Sequence, residues 1–366
     1  MLNGARAPFM KVLLIRLRLI GDVVFTTPIP KALKRAFPGA RISYLVEEAA
    51  APVVANNPHI DEVIVVRRGR GMHRVLDDLK LALHLRRRRY DVVIDLHGGP
   101  RSSWITLASG APQRIGYEIK GRAWMYSRRV PRAKELRARH SVVNQWDLLE
   151  AIDGWPGGAP DRERDAVDMA ADPRAEAAVE RRLGAAGVRR EDELILAHVS
   201  AGNPFRRWPE PAFTEVLATL AGESDRRRII VSSGPSDHEA ALRIAAAARK
   251  SLGEHGHRII EFGEFDLSEL RSLIARSRLF IGGDTGPLHI AATTRTPIVG
   301  LYGPTLPARS APWRSPAIPA EALEVTGLPC RPCDQRICEP GDFRCLTTLR
   351  PADVISAAHR ALRWTA

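Results

Sequence analysis

Cysteine is nearly missing from this chain: four residues in 366, all between Cys330 and Cys345. That excludes a disulfide framework spread through the fold. Aromatic side chains are also scarce, at 6% of residues, few for a surface built to stack on nucleic-acid bases. No apolar run approaches the roughly 20 residues needed to span a membrane. The opening segment, Met1 to Met10, has too short an apolar core for a secretory signal. No Gly-x-Gly-x-x-Gly follows the first apolar run, which argues against a nicotinamide-dinucleotide enzyme. What remains is the expectation of a cytoplasmic globular protein, long enough for two domains.

Acidic residues run short in one half only. Residues 1–150 hold 27 Lys and Arg against 13 Asp and Glu, a net of +14, while the whole chain is +13, which leaves about −1 for residues 151–366. A basic first half points to a polyanionic partner: nucleic acid, anionic lipid headgroups or a phosphorylated glycan. A genome that favours arginine would explain part of this excess but not its confinement to one half. The run Arg86–Arg89 closes a helical stretch and reads as a solvated last turn that complements the helix dipole.

What is present is a strand–helix alternation in two series. The first opens with the apolar run Lys11–Ile15 and a turn holding Gly21 and Asp22. A helix is expected from there through Phe37, irregular at its start because of Pro28 and Pro30. Further strands are expected at 42–46, 63–66 and 92–95 and near Ile115, with helical stretches at about 47–56 and 72–89. Such alternation gives a parallel sheet covered on both faces, with ligands beyond the carboxyl ends of its strands. Asp22, Asp95, His97 and Arg101 therefore collect on one rim. From 153 to 173 the pattern dissolves into Pro, Gly and charge, a linker by composition. The expected division is a first domain over 1–152, a second over 174–350 and a closing helix over 351–366.

The second series culminates in Phe280–Gly303. A buried strand ends in Gly282-Gly283, Asp284 or Thr285 caps a helix with Pro287 in its first turn, and a second buried strand ends at Gly303-Pro304. This unit aims a helix N-terminus at whatever lies above the sheet, and a phosphate is the natural ligand there. The alternative is an ordinary crossover whose glycines only turn the chain. The cysteines follow at C-x2-C-x4-C-x6-C spacing. Cys330, Cys333, Cys338 and Cys345 are candidate ligands of a structural zinc, or a thiol pair, although the spacing matches no zinc ribbon closely.

Two Rossmann-like halves, with a helix N-terminus for a diphosphate in one and a carboxylate to take a proton in the other, divide labour as GT-B glycosyltransferases do. Ile20-Gly21-Asp22-Val23-Val24, Arg206-Arg207-Trp208-Pro209, Gly283-Asp284-Thr285-Gly286-Pro287-Leu288-His289 and Tyr302-Gly303-Pro304-Thr305 resemble the bacterial heptosyltransferases, glycosyltransferase family 9. Their order and spacing match over about residues 10–360.

The resemblance implies an α/β GT-B fold, two Rossmann-like domains facing each other across a cleft. It also implies inverting transfer of heptose from ADP-L-glycero-D-manno-heptose to the inner core of lipopolysaccharide, on a lipid A–Kdo acceptor. Asp22 matches the family's base, with helix capping as its structural alternative. Arg206 stands where the family usually has a lysine on the diphosphate, and an arginine keeps that charge. Asp284 matches the residue that contacts the sugar hydroxyls, and Thr285, Gly286 and Leu288 the phosphate turn. His289 contacts phosphate or is satisfied by a nearby carbonyl. Ser200 matches a phosphate-side position, and Glu239 is a candidate for the ribose. Arg18 departs from the family's small residue and, with Arg101, Lys120 and Arg122, is expected to receive a phosphorylated, lipid-linked acceptor. No catalytic cofactor is expected, and the enzyme is expected to be a monomer peripheral to the inner face of the inner membrane. The competing readings are transfer of another nucleotide-activated sugar to a cell-surface glycan, a nucleotide-sugar 2-epimerase, and a basic nucleic-acid-binding protein.

Overall fold

The computed structural model describes residues 10–67, 71–132 and 138–365. They form two compact units, the first over residues up to 132 and 141–170, the second over 138–140 and 171–365.

The first unit carries β1 (Lys11–Ile15), β2 (Arg41–Glu47), β3 (Glu62–Val66), β4 (Val92–Asp95), β5 (Gln113–Tyr117) and β6 (Arg128–Val130). They lie in the order β3-β2-β1-β4-β5-β6, and every pairing is parallel. Val12, Leu13, Leu14 and Ile15 are all fully buried, the continuous apolar run of a strand covered on both faces. The helices are α1 (Ile20–Val24), α2 (Pro28–Ala36), α3 (Ala51–Val54), α4 (Gly71–Arg88), α5 (Pro100–Ala108) and α6 (Ser141–Trp146).

The single helix expected from Asp22 to Phe37 is two. Pro28 and Pro30 lack the N–H groups a continuous helix needs, so the chain breaks after α1. The Thr26 and Thr27 hydroxyls donate to the Val23 and Val24 carbonyls at 2.7 and 2.8 Å, covering groups the break leaves open. The segment 153–173, a linker by composition, does not run free. Val167 and Met169 are buried, buried Asp165 pairs with Arg35 at 2.9 Å, and the Asp168 N–H donates to Thr27 Oγ1 at 2.8 Å.

The second unit carries β7 (Glu193–His198), β8 (Arg227–Ser232), β9 (Ile259–Gly263), β10 (Leu279–Gly283), β11 (Ile298–Tyr302) and β12 (Ala320–Glu324), again all parallel, in the order β12-β11-β10-β7-β8-β9. Its helices are α7 (Pro173–Ala185), α8 (Glu210–Gly222), α9 (His238–Leu252), α10 (Leu267–Arg276), α11 (Gly286–Ala291), α12 (Pro307–Ser310), α13 (Arg344–Thr347) and α14 (Pro351–Leu362). Val354, Ala357, Ala358 and Ala361 of α14 enter the same core as Val216 and Leu220 of α8, so the last helix completes this unit. Strand order reverses direction at β1 in one sheet and at β7 in the other, and the loops leaving the strands at these switch points carry the residues described below. Among the described residues no helix is long and apolar enough to cross a membrane.

Gly116 on β5 shows how tightly the first sheet is covered. A Cβ there would overlap the Tyr126 ring, whose hydroxyl donates to the fully buried Asp95 at 2.6 Å. Gly116→Ala is expected to push that ring off its seat and lower unfolding free energy by about 1–3 kcal/mol, read as a shift in urea midpoint. A midpoint equal to wild type would show that the ring moves freely.

Candidate active site

The second unit builds its site around Asp284. β10 ends at Gly283, and the backbone N–H of Asp284 donates to the Leu301 carbonyl at 3.1 Å, tying the turn to β11. Thr285 is the N-cap of α11, without a side-chain cap bond, and Pro287 lies in the first turn. The Asp284 carboxylate is almost entirely buried. Its Oδ2 accepts from Thr305 Oγ1 at 2.5 Å and lies 3.6 Å from Arg206 Nη1, and its Oδ1 lies 3.4 Å from His289 Nε2. Burial pushes the carboxyl up, but the His289 hydrogen bond and charge, the Arg206 charge and the Thr305 hydroxyl outweigh it and hold the pKa down at about 2. Asp284 is thus a fixed negative charge at the floor of the turn.

Arg206 is positioned from two sides. Its Nη1 donates to the Asp284 carbonyl at 2.6 Å, and its Nε donates to Gln335 Oε1 at 2.7 Å. Gln335 also accepts from Asn203 Nδ2 at 2.9 Å, and its own N–H donates to Cys333 Sγ at 3.2 Å. The cysteine loop therefore reaches into the site through Gln335, a link the sequence could not suggest across 129 positions. Cys330, Cys333, Cys338 and Cys345 are free thiols, each partly buried, and line one pocket of about 450 Å³ beside Phe205. Among the described residues no three His, Cys, Asp or Glu side chains are gathered to hold an ion, so the cysteines as placed do not fit the structural zinc.

Other donor-side candidates stand apart from this cluster. Ser200, after β7, donates its hydroxyl to Asp237 Oδ2 at 2.6 Å, and Arg207 pairs with the other oxygen at 2.7 Å. That triad braces two rim loops. The Glu239 side chain is 92% exposed and lies 4.0 Å from Arg243. Leu288 is fully buried and packs against Gly300; its contribution is to seat α11 on the sheet. Thr305 and Gln335 join the site although their sequence surroundings carry no signal beyond the Tyr302-Gly303-Pro304-Thr305 run.

In the first unit, Asp22 sits in the first turn of α1, beyond the end of β1, and pairs with Arg16. Arg16 is itself buried and donates to the Leu96 carbonyl, which joins the loops after β1 and β4. Leu19, the N-cap of α1, has φ of 68°, an uncommon conformation for a branched side chain, and its side chain stands 66% exposed. The N-cap of α1 is Leu19, and Asp22 lies inside the first turn rather than at the cap position. Beside it, burial and the Arg16 and Arg18 charges pull the His97 pKa down to about 4, leaving a neutral imidazole at pH 7. Asp95 accepts the His97 and Gly98 N–H groups at 3.0 and 2.8 Å and organises that turn from below. Arg18 and Lys120 are exposed and Arg122 is half-buried. Arg101 is engaged: it bonds Asp78 of α4 at 2.6 Å and Glu47 at 3.2 Å.

Two Rossmann-like units, each with an all-parallel sheet, one with an anchored arginine over a buried aspartate and the other with a carboxylate at its rim, have the GT-B fold. Residues 79–339 match the family model described as glycosyltransferase family 9 (heptosyltransferase), and the chain belongs to that family. It is 26% identical over 357 residues to lipopolysaccharide heptosyltransferase 3 of Escherichia coli K12, covering 94% of this chain and 96% of that protein. The solved family 9 glycosyltransferase of Veillonella parvula superposes with a TM-score of 0.79 at 23% identity, over 98% of this chain and 99% of the other. The E. coli ADP-heptose LPS heptosyltransferase II superposes with a TM-score of 0.77 at 21% identity, over 96% and 98%. The family expected from the four sequence motifs is the one found.

Two outcomes follow from the Asp284 cluster. Gln335→Ala removes the bond that orients Arg206 and is expected to lower unfolding free energy by about 1–3 kcal/mol, the loss of one hydrogen bond to a charged group; an unchanged urea midpoint would show that Arg206 needs no such support. Asp284 has a folded pKa below its ordinary value, so its contribution to stability is full above about pH 4 and fades as pH falls toward 2. Asp284→Asn should lower stability at pH 7 by on the order of 2 kcal/mol and flatten that stretch of the acid-unfolding profile.

Proposed function

We propose that this enzyme transfers heptose, with inversion, from an ADP-activated donor to the phosphorylated inner core of lipopolysaccharide. The names of its relatives support the sugar and acceptor class. The observation that carries the reading is Arg206, held over buried Asp284 with one nitrogen, Nη2, outside the bonds that fix it. An anchored guanidinium stabilises charge that grows on a departing diphosphate without having to reorganise. Thr285 and Gly286 offer backbone N–H groups for the same phosphates, with Pro287 contributing none.

In the first unit, Asp22 is the base. As the acceptor hydroxyl oxygen attacks the anomeric carbon, its proton passes to the Asp22 carboxylate, and the bond from that carbon to the nucleotide's phosphate oxygen breaks on the opposite face. Arg16 orients Asp22, and neutral His97 hydrogen-bonds the incoming sugar. Arg18, Lys120 and Arg122 receive acceptor phosphates, while Arg101 braces α4 against α5. No step passes through a metal.

Asp22→Asn is expected to lower kcat by on the order of 10²–10⁴-fold, the usual loss with a general base, while ADP affinity holds. Near-normal turnover would sink the assignment. A ligand-shift screen of ADP-, UDP- and GDP-sugars reads the donor class: stabilisation by ADP-heptose above the others is expected. Preference for a UDP- or GDP-sugar would favour transfer of another activated sugar on the same scaffold.

A further inference from the structure

Helix α4 (Gly71–Arg88) is apolar on two faces, and the core uses only one. Leu85 and Ala82 are buried, and Leu81 packs against the cluster of Ile15, Val66 and Tyr90. On another face Val75, Leu76, Leu79 and Leu83 are 56%, 51%, 47% and 58% exposed. At about 100° per residue these four fall within an arc of about 100°, a single stripe along more than two turns. Among the described residues they account for four of the ten large apolar side chains most exposed to solvent. Scattered single exposures need no explanation, but a contiguous stripe marks a surface that something covers.

The border of the stripe says what. Lys80 and Arg87 flank it along one side, Arg86 stands at its C-terminal end, and all three are exposed. The acid next to it on the inner side, Asp78, is engaged with Arg101, which locks α4 onto α5 and keeps the stripe turned outward. Asp77 is the one exposed acid described on this helix. The surrounding half of the chain, residues 1–150, has a net charge of +14. An apolar ridge edged with cations is the pattern of a helix that lies in the plane of an anionic bilayer, aliphatic side chains among the acyl chains and cations among the headgroups.

We propose that α4 is a membrane-docking helix that seats the first unit on an anionic lipid surface by inserting Val75, Leu76, Leu79 and Leu83. The inference deepens the reading of a lipid-linked acceptor, because an enzyme held at the surface searches for such an acceptor in two dimensions. It does not depend on which sugar or nucleotide is used.

Full-length protein is sedimented with vesicles of phosphatidylethanolamine containing phosphatidylglycerol, and with vesicles of phosphatidylcholine alone, without substrates. Wild type is expected to pellet with the anionic vesicles and at least tenfold less with the neutral ones. Leu79→Glu/Leu83→Glu should abolish pelleting at every salt concentration. Lys80→Glu/Arg87→Glu should weaken it at low salt and converge on wild type as salt rises, since only the screened part is lost. Both variants should keep the wild-type near-UV circular dichroism and urea unfolding midpoint, which shows that the first unit, where α4 lies, is folded; calorimetric ADP affinity should also be unchanged, since the proposed nucleotide contacts lie in the second unit. Wild-type levels of pelleting in the Leu79→Glu/Leu83→Glu variant would overturn the proposal. A wild-type dimer by light scattering that the same variant converts to monomer would also overturn it, because the stripe would then be covered by a second copy. Failure to bind ADP at all would count against the proposed function and leave the vesicle result standing.

Discussion

The rim of the second unit depends on one buried charge. Asp284 is removed from water at the end of β10, a position that is costly for a carboxylate unless cations and donors surround it. His289, Thr305 and Arg206 do so, each from a different element. The consequence runs both ways. The aspartate remains ionised in a dry turn, and the arginine is fixed beside it. Gln335 completes the hold on Arg206 from a loop that has no counterpart in the usual strand–turn–helix unit.

The first unit solves a similar problem with hydroxyl groups. Asp95 is fully buried at the end of β4, and burial pushes its pKa up despite donors from Tyr126, Gly98, Ser102 and His97. It holds the 96–99 turn rather than reacting. Above it, Arg16 crosses from the loop after β1 to the Leu96 carbonyl and pairs with Asp22. The left-handed backbone at Leu19 is what lets α1 start immediately beyond β1 and bring Asp22 to the rim. Strain of this kind persists where the surroundings impose it, and it concentrates at working sites.

Much of this was legible in the residues. The apolar runs at 11–15, 92–95, 194–199, 279–283 and 298–302 announced buried parallel strands, because strands covered on both faces cannot alternate. Gly283-Asp284-Thr285-Gly286-Pro287 announced a turn into a helix through its local backbone chemistry. Pro28 and Pro30 warned of an irregular helix, although only the Thr26 and Thr27 hydroxyl bonds show where it breaks. The charge imbalance between the halves is a property of composition and was visible without any fold.

The chain by itself therefore determined the class of most elements, though not of such elements as β6, β12, α5, α12 and α13, together with the two-unit α/β plan and the family motifs, since these rest on periodicity, turn residues and short-range spacing. It did not determine partnerships between distant residues. Arg101 looked like a free cation and is engaged by Asp78 and Glu47; Ser200 is taken by Asp237; the cysteine loop meets the site through Gln335. Nor could periodicity say that α4 has more apolar surface than its core contact uses. Each of these depends on which side chains the sheets bring within about 3 Å of one another, and only tertiary packing sets that distance.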